Sequence, residues 1–114
     1  MVSIYHNPRC SKSRQTLALL EDRGISPDIV LYLDTPPSSA ALKKLLKQLG
    51  ISARALLRKG EEAYKANNLK DPTLSDDVLI AAMTEYPKLI ERPIVIANNK
   101  AALGRPPENV LDIL

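Results

Sequence analysis

The sequence predicts an α/β fold in which a mixed four-stranded sheet is built as β-α-β, then a helical stretch, then β-β-α. Three observations predict it. A short apolar run near the N-terminus leads through a polar loop into a helical pattern and on to a second apolar run, as in a parallel crossover. Leu-rich stretches of helical period fill the middle of the chain, and Asn98-Asn99 separates two strand-like segments as a hairpin turn. At 114 residues and 45% hydrophobic content the chain suits one core, so residues 1–114 are expected to form a single domain with a helical insertion at about 38–87.

Each element follows from local chemistry. Val2-Ser3-Ile4-Tyr5 reads as the first strand, and Ser13 as the N-cap of a helix carrying Leu17 and Leu20 and stopping at Gly24. Ile29-Val30-Leu31-Tyr32-Leu33 is a continuous apolar run, expected to be a buried parallel strand that closes at Asp34-Thr35-Pro36-Pro37. Ser38 opens a helix with Leu42, Leu45, Leu46 and Leu49 on one face and Gly50 at its end, leaving Lys43, Lys44 and Lys47 in water. Short helical turns are expected at Ser52–Ala55 and around Glu61–Tyr64. Ser75 caps a further helix with Asp76 and Asp77 in its first turn and Val78, Leu79, Ala82, Met83 and Tyr86 facing inward before Pro87. Strands at Pro93–Ala97 and Lys100–Leu103 and a last helix from Glu108 to Ile113 complete the order, with Val110, Leu111 and Leu114 available to pack.

Composition narrows the function classes. The net charge of +3 comes from cations spread along the chain, with no block of like charge and no Trp or Phe for base stacking, so no nucleic-acid partner is expected. Met1-Val2-Ser3-Ile4-Tyr5 carries neither a basic leader nor a long apolar stretch, so the expectation is a cytoplasmic protein with no membrane partner. A single cysteine can form no internal disulfide and lacks companions for a metal site.

That cysteine is the most informative residue. Cys10 lies in His6-Asn7-Pro8-Arg9-Cys10-Ser11-Lys12-Ser13-Arg14, at the start of a helical pattern. Free backbone N–H groups at a helix start, with Arg9, Lys12 and Arg14 close in sequence, favour negative charge on sulfur and suit Cys10 to act as a nucleophile. A lone buried thiol that merely packs is the alternative, and the flanking Pro, His and cations count against it.

Element order and motifs together resemble the glutaredoxin-coupled arsenate reductases, the ArsC family, within the thioredoxin-like superfamily. The resemblance is carried by His6-Asn7-Pro8-Arg9-Cys10, Ser13-Arg14, Ile51-Ser52-Ala53-Arg54-Ala55-Leu56-Leu57-Arg58, Glu91-Arg92-Pro93-Ile94-Val95 and Arg105-Pro106. It implies a thioredoxin-like fold with inserted helices, a nucleophile at Cys10, a tuning histidine at His6, and oxyanion-binding arginines at Arg58, Arg92 and Arg105. It further implies a cis bond at Arg92-Pro93 that sets Arg92 beside Cys10, with Asn7 and Ser13 orienting the loop and donating to the bound anion.

The chemistry implied is reduction of arsenate to arsenite, with glutathione as co-substrate, glutaredoxin as partner, and no tightly bound cofactor. Ser11-Lys12 stands where members of this family commonly have Gly-Thr, which leaves the substrate open. Two alternatives therefore remain open. One is a glutathione-dependent thiol reductase acting on another substrate. The other is a non-catalytic regulator binding a protein such as RNA polymerase, although Ser13 occupies the place where such regulators usually carry a second Cys.

Overall fold

A computed structural model describes residues 1–114, and the chain forms two compact units: Met1–Thr35 with Arg92–Leu114, and the intervening Pro36–Glu91.

The first unit is a sheet with two helical elements. Strand β1 (Val2–Tyr5) leads into α1 (Ser11–Asp22) and then β2 (Asp28–Val30), which pairs parallel to β1. Strands β3 (Ile94–Ala97) and β4 (Lys100–Leu103) form an antiparallel hairpin, and β3 runs antiparallel to β1, giving the order β2-β1-β3-β4. Tyr5, the last residue of β1, lies opposite Val30 on one side and Ile94 on the other. Asn98 and Asn99 have φ of 54° and 62°, the pair of positive values a two-residue turn between twisted strands requires.

Ile4, Leu20, Val95 and Val110 are fully buried at the centre of this unit, with Val2, Leu17, Ile25 and Ala102 packed around them. Burying side chains of this size stabilises a fold by about 1.5–3 kcal/mol each. The chain ends in a 3₁₀ helix (Pro107–Ile113) that packs on α1 and β4.

The second unit is helical. Helix α2 (Ser39–Leu49) is capped by Ser38, whose Oγ accepts from Ala41 N–H at 3.1 Å, and it ends on Gly50 with φ +70°. Helix α3 (Ala53–Leu56) is capped by Ser52, α4 (Glu62–Ala66) follows Glu61, and α5 (Asp76–Glu85) is capped by Ser75. Helix α5 packs on α2 and α3, burying Leu42, Leu45, Leu56, Leu79 and Met83. Arg54 braces the irregular stretch after α4 by donating to the carbonyls of Leu69 and Asp71, each at 2.8 Å.

Four sequence expectations need correction. Helix α1 begins two residues earlier than a Ser13 cap would allow: Cys10 is the N-cap, and Ser13 is a fully buried residue of the first turn. The run Ile29–Leu33 is not a buried strand. Only Asp28–Val30 is extended, on the sheet edge, where Ile29 is 50% exposed, and Leu31 accepts turn hydrogen bonds from Asp34 and Thr35. An apolar run marks extended backbone, but whether both faces are covered depends on neighbours far along the chain.

In α5 the buried face is Leu79, Ile80 and Met83, while Val78 and Tyr86 are exposed, so the inward stripe is rotated from the expected one. The last element is 3₁₀, not α. It starts at Pro107 and buries Val110, while Leu114 is 39% exposed.

Candidate active site at Cys10

Strand β1 delivers His6, whose backbone N–H continues the parallel ladder by donating to Val30 O at 2.9 Å. The loop from Asn7 to Arg9 then turns on its own groups. Asn7 Oδ1 accepts from Arg9 N–H at 3.0 Å, and Asn7 O accepts from Cys10 N–H at 3.0 Å. Cys10 has extended backbone and makes no side-chain cap bond, so its thiol stands at the N-terminal end of a twelve-residue helix beside N–H groups that lack intrahelical partners. The residue is buried, at 8% exposure.

Two side chains fix the neighbourhood of the thiol. Ser13 Oγ accepts from Asn7 N–H at 3.0 Å and lies 2.6 Å from His6 Nδ1, tying the first turn of α1 back onto the end of β1. With the Asn7 N–H taken by an oxygen lone pair, the Ser13 hydroxyl can donate to Nδ1 of a neutral imidazole. Burial, followed by the positive Arg14 guanidinium, holds the His6 ring below the ordinary histidine value, which favours that neutral form. Arg14 itself donates to Pro8 O at 3.0 Å, clasping the loop.

Arg105 is the cation brought to the sulfur. Its Nη2 is 3.6 Å from Cys10 Sγ, and its Nε donates to Arg92 O at 2.7 Å, so the guanidinium is held at both ends. Its position depends on Gly104. That residue is buried, donates its N–H to Pro93 O at 2.9 Å, and approaches α1 so closely that a Cβ there would lie 2.5 Å from Thr16 Oγ1 and 2.7 Å from Pro93 Cγ. Both Arg92-Pro93 and Arg105-Pro106 are cis, the first as expected.

The sequence-predicted residues divide accordingly. His6, Asn7, Cys10 and Ser13 form one hydrogen-bonded loop, and Arg105 joins it from 95 positions away. The hydrogen bond of His6 goes to Ser13 rather than to the thiol, and Ser13 is turned inward, so both act on the shape of the loop. Arg92 enters through its carbonyl. Arg58 belongs to the helical unit, where Glu61 and Glu91 flank it at 3.0 and 3.5 Å.

Gly104 and Thr16 were not legible as site residues. The one signal was a glycine directly before Arg105-Pro106. No group of three or more His, Cys, Asp or Glu side chains is placed to hold a metal ion, and no helix is long and apolar enough to cross a membrane.

What the site can do follows from its parts: a buried thiol at a helix N-terminus, a guanidinium within reach of the sulfur held by the Arg92 carbonyl, and a hydrogen-bonded loop that shapes the head of the helix. That is equipment for attack on a centre carrying anionic oxygens.

Comparison with known proteins points the same way. The chain is 61% identical to a solved structure of an arsenate reductase from Vibrio cholerae, with TM-score 0.97 over 99% of this chain and 97% of that one. It is 51% identical to an arsenate reductase of Neisseria meningitidis serogroup A over 99% of this chain and 97% of the relative. It is 60% identical to the uncharacterized protein YfgD of Escherichia coli K12, over 99% and 96%. The ArsC family model matches residues 5–113, and the chain belongs to the ArsC family, with its thioredoxin-like fold.

Proposed function

We propose that this protein reduces arsenate to arsenite with Cys10 as nucleophile, glutathione as co-substrate and glutaredoxin as partner. The observation that carries this reading is the guanidinium of Arg105 at 3.6 Å from a thiol on the N-terminus of α1. The Cys10 thiolate attacks arsenic(V) and an arsenate oxygen leaves as water, forming a sulfur–arsenic bond. The glutathione thiolate then attacks the Cys10 sulfur, and the sulfur–arsenic electron pair stays on arsenic, which leaves as arsenite. One disulfide forms as arsenic gains two electrons.

With one cysteine in the chain, Cys10 cannot resolve the resulting mixed disulfide itself, so an outside thiol must exchange it away. Glutaredoxin fills that role, and the need for reduced glutathione fits the cytoplasm. Arg105 counters charge on the oxyanion as it binds, and Arg92 and Arg58 are the further arginines of this reading. His6, Asn7 and Ser13 hold the loop in the shape the attack needs.

The test is arsenite production from arsenate with glutathione and glutaredoxin, wild type against Cys10→Ser, with mass spectrometry of Cys10. Without glutaredoxin the glutathione mixed disulfide should accumulate on Cys10, and adding glutaredoxin should clear it. Arsenite formation by Cys10→Ser at the wild-type rate, or sustained turnover with thioredoxin alone, would overturn the mechanism. A mixed disulfide forming equally without arsenate would point to a general thiol reductase instead.

A further inference from the structure

Arg58 sits just after α3, and its backbone is anchored twice. Its N–H donates to Leu89 O at 2.8 Å, and the preceding Leu57 bridges to Ile90 in an isolated antiparallel pair. The guanidinium therefore starts from a fixed base, and its two recorded partners are both anions. Nη1 lies 3.0 Å from Glu61 Oε2, and Nε lies 3.5 Å from Glu91 Oε1. All three side chains are about one quarter exposed, so water screens them less than it would an open surface pair.

Arg58, an oxyanion ligand in the function proposed above, is thus already engaged by two carboxylates, with which an incoming anion must compete.

Glu61 is placed to give way. It is the residue before α4, it follows Gly60, around which there is open space, and its side chain is held only by Arg58. We propose that Glu61, assisted by Glu91, is an affinity-setting gate: the two carboxylates compete with the substrate oxyanion for the Arg58 guanidinium and set how much oxyanion is needed to occupy it. This rests on Arg58 being an oxyanion ligand, as in the function proposed above. The opposite role, a prop that aims Arg58 at the substrate, predicts the opposite sign when the carboxylate is removed.

The experiment is steady-state arsenate reduction by wild type, Glu61→Gln and Glu61→Gln/Glu91→Gln, with glutathione and glutaredoxin saturating. Gln keeps the shape and removes the charge. The gate predicts that the arsenate KM falls about 3- to 10-fold in Glu61→Gln, as expected for removal of one partly screened like charge, and further in the double variant. In an Arg58→Ala background the same replacement should change KM much less, because the contested group is gone.

A KM that stays level or rises in Glu61→Gln would overturn the gate while leaving the proposed function intact. Absence of Cys10-dependent arsenite from wild type would instead sink that function. The gate is then read from calorimetric sulfate binding, where Glu61→Gln must bind more tightly than wild type and Arg58→Ala more weakly; any other order overturns it.

Discussion

Replacing Gly104 by Ala probes how the arginine of the site is held. The added Cβ would meet Thr16 Oγ1 at 2.5 Å, Pro93 Cγ at 2.7 Å and Thr16 Cγ2 at 3.1 Å. The two closest are up to roughly 1 Å inside the ~3.5 Å at which carbon contacts become favourable. Neither neighbour yields easily. Thr16 is fully buried with its hydroxyl donating to Lys12 O at 2.8 Å, and the Pro93 ring is buried with its carbonyl bonded to Gly104 N–H.

Overpacking of this kind costs about 1–3 kcal/mol, which for a chain of this size lowers the melting temperature by roughly 4–12 °C. The backbone must move away from α1, and Arg105, the next residue, moves with it. A displacement near 1 Å at a positioned group can cost on the order of 100-fold in rate, so kcat/KM for arsenate should fall by about 10- to 100-fold.

Calorimetry and arsenite kinetics on Gly104→Ala, Thr16→Ala and the double variant measure both effects. Thr16→Ala removes two of the three clashing atoms, so the double variant should be less damaged than the sum of the singles. Gly60→Ala is the control, since nothing lies within 4 Å of a Cβ at that exposed position. If Gly104→Ala melts within 1 °C of wild type, or the two single effects simply add, the account of how Arg105 is positioned is wrong.

Two further outcomes follow from charges inside each unit. Burial and Arg14 lower the His6 value in the fold, so its contribution to stability is complete above the unfolded value of 6.5 and is lost as pH falls below it. The denaturant midpoint of wild type should thus drop between pH 8 and pH 5 more than that of His6→Gln; parallel curves would remove His6 from the balance. Arg54→Ala should lower stability by about 1.5–3 kcal/mol in urea unfolding, through loss of two charge-assisted bonds to the carbonyls of Leu69 and Asp71, while leaving arsenite kinetics unchanged. A kinetic loss without a stability loss would show that Arg54, not Arg58, belongs to the site.

How much of this is legible in the sequence depends on distance along the chain. The caps at Ser38 and Ser75, the helical turn after Ser52, the left-handed Gly50 and the Asn98-Asn99 turn all appear where the residues predict them, because each rests on groups within four positions. Position alone placed Cys10 at a helix start. Ser13 is expected as the cap because its chemistry suits a cap equally well. The choice went to Cys10 because Ser13 Oγ is drawn to Asn7 and His6.

Motif resemblance named Arg105 without a reason for it; the reason is a contact spanning 95 residues. The exposed edge of β2, the rotated face of α5, the fit of Gly104 against Thr16 and the approach of Glu91 to Arg58 share that character. By itself, then, the sequence determined the order of the elements, their caps and turns, and the thiol at the head of α1, since backbone hydrogen bonding and dihedral preference are local. Which face is covered, which cation meets the sulfur and that Glu91 meets Arg58 were decided only by tertiary packing, because burial and charge pairing act through space between segments the chain order leaves far apart.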